Sequence, residues 1–291
     1  MTISRFGAIV LVLATGCDSH PQESAPALPA SMQLAPSTNA DATPPAVPYD
    51  PATPRVTASA ANSWPHDTAA YTQGLLVWRG RLLEGTGLEG RSELREIDRK
   101  TGRTQKRTTL TRSLFGEGIA VHGDRVYQLT WLGGRGYIYD ASTLSPVDSF
   151  SYAGEGWGLT SDGTHLYQSD GSSKIRVLNP NSLRVERMIE VKESGRPVWM
   201  LNELESIDGE LWANIYPTSW IARIDPSTGA VLGWIDTSKL LTATESADVV
   251  ARGGIANGIA YDREAKRTIL TGKRWPRLFE VDLTVLAPKG R

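Results

Sequence analysis

A short pattern recurs five times along this chain, and it limits the possible folds more than any other feature. Each repeat begins with a small residue and an apolar run, then continues through turns rich in Gly, Asp and Asn. The repeats start near Gly74, Gly118, Gly158, Leu204 and Gly258, at spacings of 44, 40, 46 and 54 residues. Units of this period with four short strands are typical of propeller blades. The sequence therefore predicts an all-β protein, specifically a five-bladed β-propeller.

The third strand of each repeat is the easiest to recognise, because it ends in Asp or Asn, residues that favour a following turn. These strands are Leu94–Asp98, Gly136–Asp140, Ile175–Asn179, Ile221–Asp225 and Leu278–Asp282. The first two repeats also contain the predicted strands Gly74–Arg79, Arg81–Gly85, Thr104–Leu110, Gly118–His122 and Arg125–Thr130. A β-sandwich would lack five units in this register. The longest interval contains the best candidate for a helix, Asp236–Leu241, with Asp236 or Thr237 as its N-cap.

The N-terminal segment is predicted to be an export signal. In residues 1–17, Arg5 precedes an apolar run that is too short to span a membrane. The segment ends in small residues and Cys17, which resembles a bacterial lipoprotein signal and makes Cys17 the predicted lipidation site. The protein is therefore expected to be exported, and to be periplasmic or lipid-anchored to a bacterial membrane. Its membrane contact would be made only through this anchor.

Residues 18–54 are rich in Pro, Ala, Ser and Thr and have few apolar residues that could form a core. Such a segment cannot bury enough surface to offset its ordering entropy, so it is predicted to be a disordered tether. Residues 55–291 are then expected to form the catalytic domain.

Charge and cysteine content exclude several classes of function. The 31 basic and 32 acidic residues leave a formal net charge of −1, which does not favour a nucleic-acid partner. Cys17 is the only cysteine, which excludes disulfides, thiolate catalysis and cysteine-based zinc sites from the folded part. The four histidines lie in the tether or at predicted turns, outside any motif, which argues against a Ser-His-Asp hydrolase.

Residues at the start of the innermost propeller strands converge at one end of the central channel. Here the corresponding positions are rich in carboxyl, amide and indole groups. They are Gln73, Glu117, Glu155, Trp157, Asn202, Glu203, Glu205 and Asn257, with Trp131, Trp199, Trp212, Trp220 and Trp275 nearby. Although many tryptophans could serve only to pack the blades, this concentration of polar groups predicts a functional site at the channel end.

A series of strings resembles, in order, the plant and bacterial glutaminyl-peptide cyclotransferases. They are YTQGL, LLEGTGLEGRSELREID, LFGEGIA, YQLTW, EGWGLT, SDGSSKI, LNELE, LWANIY, NGIAYD and TGKRWPRLFEV. The resemblance covers nearly all of Tyr71 to Asp282. It implies a metal-free five-bladed propeller without a cofactor, which converts N-terminal glutamine of peptides or proteins to pyroglutamate and releases ammonia. A monomer is the default expectation.

That reaction needs a group that takes a proton from the α-amine and returns it to the departing nitrogen. One carboxyl could serve both steps if burial raises its pKa towards neutrality. Glu117, which lies between two glycines and follows Phe115, fits this description. The resemblance places it at the family's catalytic glutamate. A carboxylate that only bonds to loop amides is the alternative.

The resemblance also implies a set of substrate-binding residues. Trp131 and Trp157 match tryptophans that line the pocket, and Tyr71 occupies a position that is often Phe. Gln73, Asn202 and Lys273 match polar positions that would orient the substrate amide or stabilise its oxyanion.

Some assignments around this set remain open. Lys273 could instead be an exposed lysine paired with an acid. Glu203 and Glu205 should face the same side of a strand, and Glu205 is a buried structural partner of Lys273 if the two lie close together. Tyr216 stands where relatives often carry Trp, which leaves one wall of the pocket undefined.

Two functions from other classes also remain open. The chain could be a non-catalytic propeller lipoprotein that binds a partner through its channel face, because this fold serves many functions. It could also be a calcium-dependent lactonase with Glu117, Asn202 and Asn257 among its ligands. The glycine string at residues 85–90 lies between strands rather than before a helix, so it is assigned to a turn.

Overall fold

The computed structural model describes residues 47–285, and this part of the chain is all-β apart from one helix, α1 (Ala243–Ala251). The strands are β1 (Arg55–Pro65), β2 (Thr72–Trp78), β3 (Arg81–Thr86), β4 (Glu93–Ile97), β5 (Thr104–Thr109), β6 (Gly116–His122), β7 (Arg125–Thr130), β8 (Arg135–Asp140), β9 (Pro146–Ser151), β10 (Leu159–Ser161), β11 (Leu166–Gln168), β12 (Lys174–Leu178), β13 (Val185–Glu190), β14 (Lys192–Glu193), β15 (Arg196–Pro197), β16 (Leu201–Ile207), β17 (Glu210–Ile215), β18 (Trp220–Ile224), β19 (Val231–Asp236), β20 (Ile255–Asp262), β21 (Arg267–Lys273) and β22 (Arg277–Val285).

The repeating unit is a group of four antiparallel strands in chain order. Three groups are separate sheets, formed by β2 to β5, β6 to β9 and β10 to β13. A further sheet has eight strands in the order β16-β17-β18-β19-β1-β22-β21-β20, and β14 and β15 form a small sheet of their own. Strand β1 pairs in parallel with β19 and antiparallel with β22, with Trp64 opposite Leu278. The N-terminal strand therefore completes the last group of four.

The first strands of the groups lie side by side. Strand β2 contacts β6, β6 contacts β10, β10 contacts β16, and β16 contacts β20. Strand β20 in turn contacts β2. These strands approach each other closely where they begin. A Cβ on Gly118 would lie 2.6 Å from the Trp157 carbonyl oxygen, and one on Gly158 would lie 2.0 Å from that of Asn202. This close approach explains the small residues at the start of the repeats.

Alternating side chains fill the space on either side of the first sheet, because successive residues of a strand point to opposite faces. Leu76 and Leu83 pack with Val126 of the next group. Leu75 and Leu82 pack with residues of the last group, including Ile269 and Leu278. Each group is thus packed between its neighbours, which fixes the positions of the strand ends that carry the polar residues.

The predicted strands of the first two repeats match the observed strands to within two residues at each end. The predicted helix Asp236–Leu241 is wrong. Helix α1 begins instead after Thr242, whose hydroxyl accepts from the Glu245 N–H at 3.2 Å while the Glu245 carboxylate accepts from the Thr242 N–H at 2.9 Å. This reciprocal capping box stabilises the start of α1. Asp236 instead accepts from the Ser238 N–H at 2.8 Å within a turn.

The residues before β1 also contact the folded part. Val47 and Tyr49 pack against the apolar cluster that contains Trp234. The Tyr49 hydroxyl donates to the Pro197 carbonyl at 3.1 Å. Among residues 47–285, no helix is both long and apolar enough to cross a membrane. The predicted lipidation site, Cys17, lies outside the described residues.

Candidate active site

A buried carboxyl lies at the start of β6. Glu117 is 4% exposed, and its Oε1 accepts from Nε2 of Gln73, which is 2% exposed, at 3.1 Å. Burial raises the pKa of Glu117 well above its usual 4.5, while nearby Lys273 lowers it and Glu155 raises it further. A carboxyl shifted towards neutrality can both accept and return a proton during a reaction.

The side-chain amide of Gln73 is oriented by a second amide. Asn257 Nδ2 donates to Gln73 Oε1 at 3.3 Å and to the Thr72 carbonyl oxygen at 2.9 Å. Because Gln73 Oε1 accepts from Asn257, its NH2 group is directed at Glu117. Asn257 therefore positions Gln73, and Gln73 positions the carboxyl.

A second buried carboxyl close by shows the opposite shift. Glu84 accepts from Thr72 Oγ1 at 2.6 Å and from Arg95 Nε at 2.7 Å. Burial alone would raise the pKa of Glu84, but Arg95 and His66 lower it to about 2. Glu84 is therefore a permanently ionised structural anion, whereas Glu117 has no such ion pair among residues 47–285.

Lys273, at the end of β21, lies between two aromatic rings. It is 4% exposed, with Nζ 4.9 Å from the Tyr71 ring centroid and 5.2 Å from that of Tyr216. Burial lowers the pKa of Lys273 to about 8, against the opposing effect of Glu117. No carboxylate of the described residues pairs with it within 4.0 Å. Lys273 is therefore not an exposed lysine paired with an acid.

The aromatic side chains form two connected groups. Tyr71 packs edge-on against Phe115, with centroids 6.1 Å apart, and Phe115 packs against Trp131 at 5.9 Å. In the second group, Trp157 packs edge-on against Tyr216 at 6.1 Å. Tyr216 thus takes part in these aromatic contacts, at the position that the sequence left undefined.

Two charged residues join these groups into a closed circuit of contacts. Glu155 Oε2 accepts from the indole N–H groups of Trp131 at 2.7 Å and Trp157 at 2.8 Å. Lys273 bridges the other ends, Tyr71 and Tyr216. The charges of both bridging residues act on the pKa of Glu117. We refer to these seven residues as the aromatic circuit.

Glu155 holds both indoles through hydrogen bonds, and its charge raises the pKa of Glu117. Substitutions can separate these two roles. Glu155→Gln keeps an oxygen that can accept from both indoles but removes the charge, so kcat/KM should change less than about threefold. The acidic limb of the pH profile of kcat/KM should move to lower pH in this variant, because the charge of Glu155 raises the Glu117 pKa. Glu155→Ala frees both tryptophans and should lower kcat/KM by roughly tenfold or more, since small misplacements of a substrate are costly. Equal losses in the two variants would contradict a positioning role for the hydrogen bonds.

Asn202 lies beside this set without joining it. It is 3% exposed at the start of β16, and its carbonyl oxygen accepts from Ser169 Oγ at 2.6 Å. Within residues 47–285, no side-chain hydrogen bond links Asn202 to Gln73, Glu117 or Lys273. Of the other predicted residues, Gln73 contacts Glu117. Tyr71, Trp131, Trp157 and Lys273 belong to the aromatic circuit, and the charges of that circuit act on the pKa of Glu117.

Glu203 and Glu205 tie neighbouring strands together. The Glu203 carboxyl accepts from the N–H groups of Leu75 at 3.3 Å and Ile259 at 3.0 Å. The Glu205 carboxyl accepts from Thr160 Oγ1 at 2.9 Å and the Tyr261 N–H at 3.1 Å.

These bonds join β16 to β2, β10 and β20, so both carboxyls lie among the first strands of the groups. The cation that acts on the pKa of Glu205 is Arg263, not Lys273. Glu205 is therefore a buried structural residue, but it is not the partner of Lys273.

Glu205 should make stability depend on pH. Burial raises its pKa to about 7 from 4.5, so its contribution is fully present below about pH 4.5 and is lost as the pH rises through about 7. From pH 4.5 to 8 this costs up to about 3 kcal/mol. Urea unfolding at pH 5 and pH 8 should show a smaller decrease in Glu205→Gln than in the wild type. Glu264→Gln, which replaces an exposed carboxyl, is the control and should behave as the wild type. An equal decrease in the free energy of unfolding from pH 5 to pH 8 in all three proteins would contradict the raised pKa of Glu205.

An all-β fold that places a buried carboxyl with a strongly shifted pKa, its amide partner and a buried lysine beside an aromatic circuit is typical of an enzyme. The model of the glutamine cyclotransferase family matches residues 30–283. The chain therefore belongs to the glutamine cyclotransferase family.

Two relatives agree with this assignment. The glutaminyl-peptide cyclotransferase of Arabidopsis thaliana is 40% identical over 229 residues, which cover 78% of this chain and 71% of the relative. The crystal structure of Myxococcus xanthus glutaminyl cyclase matches with a TM-score of 0.74 at 35% identity, covering 81% of this chain and all of that one.

Besides Tyr216, whose position the sequence had marked as a wall of the pocket, three residues of the site were not among the predicted substrate-binding residues. Glu155 and Asn257 both stand where a repeat begins, the position that indicated the other polar residues. Phe115 directly precedes the Gly-Glu-Gly string of Glu117. Position within the repeat was therefore a sufficient signal for each of them.

Proposed function

We propose that this chain converts N-terminal glutamine of peptides and proteins to pyroglutamate with release of ammonia. The observation that carries the proposal is the Glu117 carboxyl, which is buried, held by Gln73 and free of any ion pair among the described residues. The family assignment supports it, as do the activities named for the Arabidopsis and Myxococcus relatives.

In this mechanism Glu117 acts first as a base and then as an acid. The substrate's α-amine attacks its own side-chain amide carbon, a new C–N bond forms, and the amine proton passes to Glu117. The bond to the amide nitrogen then breaks, and Glu117 returns the proton so that ammonia leaves. The carboxyl is thereby restored to its starting state, and no co-reactant is consumed.

The surrounding residues assist both steps. The Lys273 ammonium would stabilise the negative charge that develops on the amide oxygen. Tyr71, Trp131 and Trp157 would hold the glutamine folded, with amine and carbonyl about 3–3.5 Å apart. Asn202 is proposed to contact the substrate amide from the start of β16.

The proposed reaction proceeds without a metal. Among residues 47–285, no group of three or more His, Cys, Asp or Glu side chains is placed to hold one. The Glu117 carboxyl lies near a donating amide and the Lys273 ammonium, groups that disfavour a bound cation. These surroundings favour the cyclotransferase over the calcium-dependent alternative.

We also propose that the five groups of strands form a five-bladed propeller, with β1 completing the last blade. The circular order of contacts from β2 to β20 and back to β2 supports this arrangement. Residues 1–17 would be an export signal with lipidation at Cys17, and residues 18–54 a tether whose end is held by Tyr49. The catalytic domain would then comprise residues 55–291, exported as a monomer.

Product analysis tests the activity. The full chain is incubated with a short glutaminyl peptide, its N-acetylated form and an asparaginyl analogue. Ammonia and pyroglutamyl peptide should appear in equal amounts from the first peptide only, because acetylation blocks the amine and asparagine cannot close the five-membered ring. Folded protein that forms neither product would favour a non-catalytic, partner-binding propeller.

A further inference from the structure

Arg274 is a buried cation without an acidic partner. The residue is 8% exposed, and its enclosed Nε has no hydrogen-bond partner among the residues that the structure describes. No carboxylate in residues 47–285 lies within 4.0 Å of its guanidinium. Burial lowers the pKa of Arg274; Tyr71 opposes this effect, and the cations Arg252 and Arg91 add to it. The fixed charges around Arg274 are therefore of its own sign.

The other buried arginine shows what a structural role requires here. Arg95 is 5% exposed, and it pairs with Glu84 at 2.7 Å and Asp67 at 2.9 Å. A buried charge opposes folding unless it is paired and hydrogen-bonded. Within the described part of the chain, the Arg274 side chain has neither a carboxylate partner nor a side-chain hydrogen bond, which leaves its guanidinium available to an anionic ligand.

The backbone of Arg274 is held in a conformation that residues other than glycine rarely adopt. Its φ is +61°, while its N–H donates to the Ala70 carbonyl at 2.7 Å. Its own carbonyl accepts from Arg252 Nη2 at 3.3 Å. These two hydrogen bonds maintain the conformation and so fix where the Arg274 side chain leaves the backbone.

Arg274 also adjoins the proposed reaction site. Its guanidinium carbon lies 5.8 Å from the centroid of the Tyr71 ring, which Lys273 Nζ approaches to 4.9 Å. One aromatic side chain thus contacts both cations. If the amide oxygen of the substrate glutamine faces Lys273, the following residue of the peptide can reach Arg274.

We infer that Arg274 forms a subsite for a carboxylate carried by the residue after the N-terminal glutamine. This inference rests on the proposed cyclotransferase activity. The carboxylate could be an Asp or Glu side chain at the second position or the chain terminus of a dipeptide. A guanidinium suits this group because it can donate two parallel hydrogen bonds to it.

The test compares kcat/KM for substrates that differ in one charge. Gln-Glu-Ala-amide and its isostere Gln-Gln-Ala-amide test the side-chain source, and Gln-Ala with a free or amidated terminus tests the chain end. The wild type should prefer at least one carboxylate substrate by about tenfold, the value of a charge-assisted hydrogen bond. Arg274→Met should abolish the preference, and Arg274→Lys should keep part of it.

Arg263→Met is the control, because Arg263 also stacks on a tyrosine, Tyr261, with 6.0 Å between guanidinium carbon and centroid. Its guanidinium donates to the Ser206 carbonyl and stacks on no residue of the aromatic circuit. Arg263→Met should leave the preference intact. Thermal unfolding of Arg274→Met should show no loss of stability. If that variant does not fold, the Arg274→Lys result and the decrease of the preference with added salt decide the question.

Equal kcat/KM for charged and neutral substrates in the wild type would overturn the subsite. A preference for carboxylate substrates that persists in Arg274→Met would also overturn the subsite. Failure of the wild type to cyclise any glutaminyl peptide would instead overturn the proposed function, so the two failures are distinguishable.

Discussion

Glu117→Gln is expected to lower kcat by roughly 10²–10⁴-fold and to change KM little, as the loss of a general acid–base implies. The replacement amide keeps the shape of the carboxyl and an oxygen that can accept from Gln73 Nε2, so the arrangement of the two side chains should persist. It cannot accept and return a proton. Ammonia release at saturating glutaminyl peptide measures the effect.

Stability separates loss of chemistry from loss of folding in this variant. Because burial raises the Glu117 pKa, ionisation of the carboxyl opposes folding as the pH rises. Glu117→Gln should therefore unfold at the same temperature as the wild type or higher, at pH 8. An active variant with more than a tenth of the wild-type kcat would contradict the assigned role.

Lys273→Met is expected to lower kcat/KM by about 10²-fold or more, the usual effect of removing a group that stabilises an oxyanion. The variant should also change the pH profile. In the wild type the charge of Lys273 lowers the Glu117 pKa, so its removal should move the acidic limb to higher pH. A basic limb near pH 8, where Lys273 loses its proton, should disappear.

Lys239→Met, which removes an exposed lysine, serves as the control and should leave both limbs in place. The full pH profile of kcat/KM for the three proteins is the required measurement. An unchanged acidic limb in Lys273→Met would mean that the lysine does not act on Glu117.

The strand pattern was predictable because it is local. Each strand of the first two repeats has its own apolar run and turn residues, and the close approach of central strands at Gly118 and Gly158 selects small residues. The position of β1 was not predictable. Its partner β22 lies at the opposite end of the chain, and a strand carries no sequence signal that identifies such a distant neighbour.

The site was predictable where position within the repeat determined it. Gln73 and Glu117 lie at the start of β2 and β6, the first strands of two neighbouring groups, and this is why they meet. Elsewhere the sequence did not show which residues a side chain would face. The spacing of Glu203 and Glu205 indicated a shared face but not whether Lys273 lay opposite that face. Arg274 resembles any surface arginine in sequence; its burial, its lack of an acidic partner among residues 47–285 and its contact with Tyr71 are visible only in the structure.

The pH dependence of kcat/KM for metal-stripped wild-type protein tests the central claim most directly, because that profile reports ionisations of the free enzyme. Metal-independent acid–base catalysis by Glu117 predicts full activity after chelation and an acidic limb with its midpoint well above 4.5, because burial raises the Glu117 pKa. Activity that disappears on chelation and returns with a divalent cation, or a limb at the ordinary carboxyl value, would contradict it.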